Sequence, residues 1–175
     1  MKNFLLISCL LFTLSIGAKA QTQAPYEVLT DSANNNEKIL KGEINKNDLA
    51  DNPAYTWYAE SQKIYPVPNT AAVTGMAKNK DNVNIVIFGG TWCEDTHFVL
   101  PKFFKIQEAS GFPNDRITIY AVDRNKKTLG TYADDYHITN VPTIIVMKNG
   151  KEVGRVVEYG KTGKWDQEFA DIFSE

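Results

Sequence analysis

Residues 84–101 read Asn84-Ile85-Val86-Ile87-Phe88-Gly89-Gly90-Thr91-Trp92-Cys93-Glu94-Asp95-Thr96-His97-Phe98-Val99-Leu100-Pro101. Asn84 to Phe88 is a short apolar run of the kind that forms a fully buried strand. Gly89-Gly90-Thr91 is a turn. Asp95 to Ser110 follows a helical pattern, which predicts Phe98, Phe103 and Ile106 facing inward and a kink at Pro101. Cys93 therefore stands between a strand and the first turn of a helix. A cysteine there meets unpaired backbone N–H groups and the positive end of the helix dipole, and both favour the reactive thiolate. The usual redox form of such a site is C-x-x-C near a βαβ unit. Here Thr96 stands where the second cysteine would be.

Downstream, Arg116 to Val122 reads as a second strand, Asn125 to Tyr136 as a weaker helix and Thr143 to Met147 as a third strand. Asn149-Gly150 is a favoured two-residue hairpin turn, so Glu152 to Glu158 should return antiparallel. Trp165, Phe169 and Ile172 recur at helical spacing. The order β-α-β-α-β-β-α predicts an α/β fold with a mixed sheet and helices on both faces.

Upstream, the composition is polar with interspersed aromatics. Thr30-Asp31-Ser32 and Asn45 to Asp48 are candidate helix starts. Pro53 to Tyr65 reads as a short helix. Asn69 is placed to cap another, with Ala72, Val73, Met76 and Ala77 on one side. Pro66 and Pro68 separate the two, and Asn34-Asn35-Asn36 reads as exposed loop. The predicted organisation is a helical N-terminal extension over 21–81 that packs on a main domain over 82–175.

Residues 1–20 have the form of an export signal: Lys2, an apolar stretch from Phe4 to Ile16, and Ala18-Lys19-Ala20 as a small-x-small cleavage site. The stretch is short of the ~20 residues that span a bilayer, so no stable membrane insertion is expected after cleavage. The expected location is periplasmic or secreted. Cleavage after Ala20 removes Lys2, Lys19 and Cys9, leaving 17 basic against 21 acidic residues, a net charge of −4. Nothing in that balance argues for nucleic acid. Cys93 is then the single cysteine, which excludes internal disulfides and a cysteine-rich zinc site. Cys93, His97 and His137 supply no metal-ligand spacing, so no metal or other cofactor is expected. A Cys-His hydrolase would need an orienting third group and an oxyanion hole, and neither is signalled.

With these elements placed, residues from about Asn82 to Phe173 resemble the thioredoxin family. Trp92-Cys93 matches the start of its W-C-x-x-C motif. Pro101 matches its helix-kinking proline, Val141-Pro142-Thr143 its hydrophobic-Pro-Thr loop, and Lys148-Asn149-Gly150 the following hairpin. The resemblance implies a thioredoxin-like fold with Pro142 cis and opposite Cys93. It further implies that the backbone of Val141 pairs with a substrate strand, and that Trp92 and Gly160 complete an apolar groove.

Two positions depart from the family pattern. Thr96 replaces the resolving cysteine, and Ile87 stands where thioredoxins usually bury an acid that assists the second thiol. The two losses fit each other, because a base has no task when its thiol is absent. The implied activity is mixed-disulfide formation by Cys93 with protein thiols or disulfides, with release supplied from outside. Thr96 is expected to hydrogen-bond the sulfur and His97 to reach it from the same helix face. Glu94 and Asp95 oppose a thiolate. The alternative is a non-catalytic binding or chaperone-like module that keeps the groove.

Overall fold

The computed structural model describes residues 25–35, 37–65 and 68–174; the export signal expected over 1–20 lies outside them. Six strands form one mixed sheet: β1 (Tyr26–Asp31), β2 (Glu37–Ile44), β3 (Val83–Gly89), β4 (Ile117–Ala121), β5 (Thr143–Lys148) and β6 (Lys151–Val157). Their order across the sheet is β1-β2-β4-β3-β5-β6. β3 and β4 are parallel, and every other neighbouring pair is antiparallel. The helices are α1 (Lys46–Ala50), α2 (Thr56–Ile64), α3 (Thr70–Asn79), α4 (Glu94–Ser110), α5 (Tyr132–Asp135) and α6 (Trp165–Ile172).

Strand β3 shows how sequence becomes layers. Side chains alternate along a strand, so Ile85 and Ile87 enter one core while Val86 and Phe88 enter another. The larger core joins Leu40, Met76, Phe103, Phe104, Trp165 and Phe169. The smaller holds Tyr120, Val122, Val141 and Ile145, with Trp92 and Cys93 packed at its edge. α4 buries Val99, Leu100, Phe103, Phe104 and Gln107, a three-four repeat that faces the larger core. It ends at Gly111, whose φ of 64° is the left-handed conformation of a helix C-terminal stop. Phe98, expected inward, falls one position off that stripe and is 38% exposed.

The N-terminal extension departs from the all-helical expectation. Its helices at Asn45, 53–65 and Asn69 are present: Asn45 forms a reciprocal capping box with Asp48, and the Asn69 side chain accepts from Ala72 N–H. Thr30-Asp31, however, closes a strand. β1 and β2 form a hairpin through Asn34-Asn35, with Asn35 left-handed at φ 47°. β2 pairs with β4, which makes the hairpin part of the central sheet. Backbone pairing with β4 and burial of Leu40 and Ile44 of β2 in the larger core hold the hairpin there. The helix expected over 125–136 shrinks to the four residues of α5. Asp123 captures the N–H groups of Asn125 and Lys127 and Lys126 turns left-handed, so the chain there forms a tight loop.

Candidate thiol site

β3 ends at Gly89 and the chain turns through Gly90-Thr91-Trp92. A Cβ on Gly90 would lie 2.7 Å from the Trp92 ring, so only glycine lets the indole rest on this backbone. Cys93 N–H donates to Gly90 O at 3.0 Å, and Cys93 O accepts from His97 N–H at 3.0 Å, opening α4. Cys93 occupies the N-cap with extended backbone and no capping bond from its side chain. Its thiol is free and half-buried, and Sγ donates to Val141 O at 3.3 Å. The pairing of Phe88 with Thr143 brings the Val141-Pro142 loop across from the helix start. The Val141-Pro142 peptide is cis. Cys93, Trp92, Val141 and Pro142 thus meet at one edge of the smaller core.

Trp92 is fixed on two sides. Its indole N–H donates to Val122 O at 2.9 Å. The Arg124 guanidinium lies 4.8 Å and the Lys126 ammonium 5.8 Å from its ring centroid, favourable cation–π placements. Arg124 is in turn gripped by Asp31 at the end of β1, with contacts of 2.7 and 3.0 Å. Hydrogen bonding to that guanidinium holds the Asp31 carboxyl below its ordinary range. The hairpin therefore reaches the thiol site through the Asp31–Arg124–Trp92 stack.

Thr96 does not contact the sulfur. It is 1% exposed, faces the larger core near Ile44, Leu100 and Ile119, and its Oγ1 accepts from Gly90 N–H at 3.2 Å. Among the described residues no hydrogen bond joins Thr96 to Cys93, because the hydroxyl already braces the turn. His97 is likewise committed elsewhere. Its ring stacks on Trp57 of α2 at 4.1 Å and 16°, and Nε2 lies 2.8 Å from Thr91 O. A carbonyl only accepts, so Nε2 carries the proton and the imidazole serves as a brace. Thr91 Oγ1 accepts from Leu40 N–H of β2 at 3.1 Å. The turn before Cys93 is thus held by the extension from both α2 and β2.

Burial holds the His97 imidazole below its ordinary value of 6.5, outweighing the Thr91 carbonyl and nearby Glu94 and Glu37. A histidine with a lowered folded pKa stabilises the fold above its unfolded pKa. That stability is lost as pH falls from about 6.5 towards the folded value. Unfolding free energy measured by urea titration is therefore expected to drop between pH 7 and pH 5. His97→Gln, which keeps a donor for Thr91 O, should flatten that drop. An equal slope in the variant would assign the pH dependence to other groups.

Further along α4 from Cys93 lies an aromatic ledge. Phe98 meets Tyr65 at 5.2 Å and Tyr159 at 5.4 Å, both edge to face. Burial, and then Asp95 beside it, push the Tyr159 phenol up to about 12. Gly160, expected in the groove, instead sits against Glu168, which would lie 2.6 Å from an added Cβ. It lines a cavity of about 860 Å³ between β6 and α6 that does not include Cys93. From this turn it is Tyr159 that packs on Phe98 of α4. Among the described residues no group of three His, Cys, Asp or Glu side chains is placed to hold a metal ion. Arg124, Lys126, Asp31, Trp57 and Tyr159 were not singled out from sequence. The Asp123-to-Lys127 turn was the available signal for the first two, hidden by a helical reading of the same stretch.

The free cysteine at a helix start, the cis proline facing it and the mixed sheet agree with a match to known proteins. The thioredoxin family profile matches residues 68–169, more than half of the chain. The chain belongs to the thioredoxin family. Thioredoxin-1 of Saccharomyces cerevisiae is 32% identical over 88 residues, covering 50% of this chain and 80% of its own length. Thioredoxin of Mycolicibacterium smegmatis is 31% identical over 80 residues, covering 46% of this chain and 67% of its own. The solved structure of Fasciola hepatica thioredoxin aligns at 24% identity with a TM-score of 0.39, covering 55% of this chain and 86% of that one. The hairpin of β1 and β2 precedes the matched region.

Proposed function

We propose that this thioredoxin-family protein is an exported, single-cysteine thiol–disulfide exchange protein of the cell envelope. Cys93 attacks one sulfur of a partner disulfide. The Cys93–partner S–S bond forms as the original S–S bond breaks, and the departing thiolate takes a proton from solvent. The exchange needs no external oxidant or reductant. Reversal or release requires a second thiol, from the partner, a small molecule or another protein. The observation that carries this reading is the half-buried Cys93 thiol at the start of α4, beside Val141 and Pro142, with Thr96 one turn on. Residues 1–20 support export, and the loss of Cys9 with them leaves Cys93 without an internal partner.

Affinity capture from the envelope fraction under thiol-blocking conditions tests the reading. The wild-type chain should begin at Gln21 and carry partners that are released by reductant and missing from Cys93→Ser. Identical partner sets for the two proteins would replace this reading with the non-catalytic binding module.

A further inference from the structure

Trp92 before Cys93 and α4 after it carry different chemistry. On the Trp92 side, the loop over 123–127 is built around Asp123, whose carboxylate accepts from Asn125 N–H at 2.9 Å and Lys127 N–H at 3.0 Å. That turn holds Lys126 at φ 60°, a conformation a lysine rarely adopts. Such strain persists only where the surrounding structure imposes it, and it gathers at functional sites. Its result is a second cation on the Trp92 ring beside Arg124. Lys41 pairs with Asp123, Arg124 with Asp31 and Lys127 with Asp134, while among the described ion pairs Lys126 has none. Arg124 spends Nε and Nη2 on Asp31, which leaves Nη1 without a described partner.

In the ledge along α4, Phe98 and Tyr159 are 38% and 37% exposed. Asp95 in the first turn of α4 lies beside Tyr159. An acidic segment is repelled there and attracted at Lys126. An apolar segment covers the ledge and gains by leaving water. Cys93 stands between Trp92, which carries the two cations, and the first turns of α4, which carry Asp95 and Phe98.

We infer that Cys93 selects a polypeptide cysteine flanked by carboxylate side chains on one side and apolar side chains on the other. Lys126 and Arg124 receive the former, and the ledge of Phe98, Tyr65 and Tyr159 receives the latter. The inference rests on the thiol-exchange reading, and the following experiment separates the two.

Two end-blocked peptides of the same composition, Asp-Asp-Cys-Leu-Leu and Leu-Leu-Cys-Asp-Asp, each carry the cysteine as a disulfide with 2-thiopyridine. Attack by Cys93 on the peptide sulfur forms the Cys93–peptide disulfide and expels one thiopyridone, whose absorbance gives the rate. One order should react roughly fivefold faster than the other, about the upper range for a single exposed charge pair. The ratio should shrink as salt rises. Lys126→Asn tolerates the left-handed backbone and should bring the ratio to within about twofold. Lys126→Arg should preserve the ratio, and Phe98→Ser should slow the favoured order. Equal rates in the wild type, or a ratio unmoved by Lys126→Asn and Phe98→Ser, would overturn the inference and leave thiol exchange standing. No thiopyridone from either peptide would overturn both.

Discussion

Thr96→Cys is expected to raise insulin reduction by dithiothreitol at least about tenfold, because a second thiol in the same site makes release intramolecular. On the proposed mechanism, a mixed disulfide at Cys93 of the wild-type chain waits for a thiol to diffuse in. Position 96 is one helical turn on, the spacing at which positions along a helix are neighbours. Cα atoms at that spacing are within the range a disulfide bridges. The substitution has a structural cost. Thr96 Oγ1 accepts the Gly90 N–H, and sulfur is a weaker acceptor, so a loss of about 1 kcal/mol is expected. The gain also has a ceiling. Ile87 is fully buried in the larger core and supplies no base for the new thiol. Insulin turbidity compares the two proteins directly. A wild-type rate equal to that of Thr96→Cys would show that release does not limit turnover, and the monothiol mechanism would fall.

The geometry also explains why threonine fits position 96. Its hydroxyl braces the turn that presents Cys93, and its methyl would lie 3.1 Å from a Cβ at Gly89. Thr96 therefore acts on the turn, while the sulfur donates to Val141. Sequence spacing placed Thr96 and Cys93 on one helix turn but could not say which partner the hydroxyl takes.

What was legible followed the strength of the apolar signal. Ile85-Val86-Ile87-Phe88 and Thr143 to Met147 are continuous apolar runs between turn residues, and both are buried strands. Trp92-Cys93 and Val141-Pro142 come together because β3 and β5 pair in register. Thr30-Asp31-Ser32 carried a helix-start composition yet ends an edge strand, because pairing with β2 decides the matter. The Asn34-Asn35-Asn36 run was itself a hairpin signal, since asparagine tolerates left-handed backbone. Asp31 and Arg124 are 93 residues apart in sequence, and no local pattern links them. Phe98 and Tyr159 show the same limit. Phe98 reads as core material and Tyr159 carries no pattern of its own until the phase of α4 and the turn before α6 set them against each other at the surface.

Leu40→Ala is expected to lower the stability of the whole domain by roughly 2–5 kcal/mol, the range for truncating a buried leucine. Leu40 is 2% exposed and belongs to the larger core with Phe103, Trp165 and Phe169. Its strand pairs with β4, and its backbone N–H holds the Thr91 hydroxyl in the turn before Cys93. These contacts tie the extension to the sheet, so the loss should appear as one cooperative transition with a lower urea midpoint and an unchanged slope. Two signals make the test specific: far-UV circular dichroism for the whole chain, and the rate of Cys93 alkylation under native conditions for the turn. If the extension were a separate module, the main transition would keep its midpoint and a second, smaller one would move. If the extension is built into the domain, circular dichroism shows a single shifted transition. Alkylation of Cys93 then speeds up as well, because the cavity left by Leu40 loosens β2 and the Thr91 turn that β2 holds.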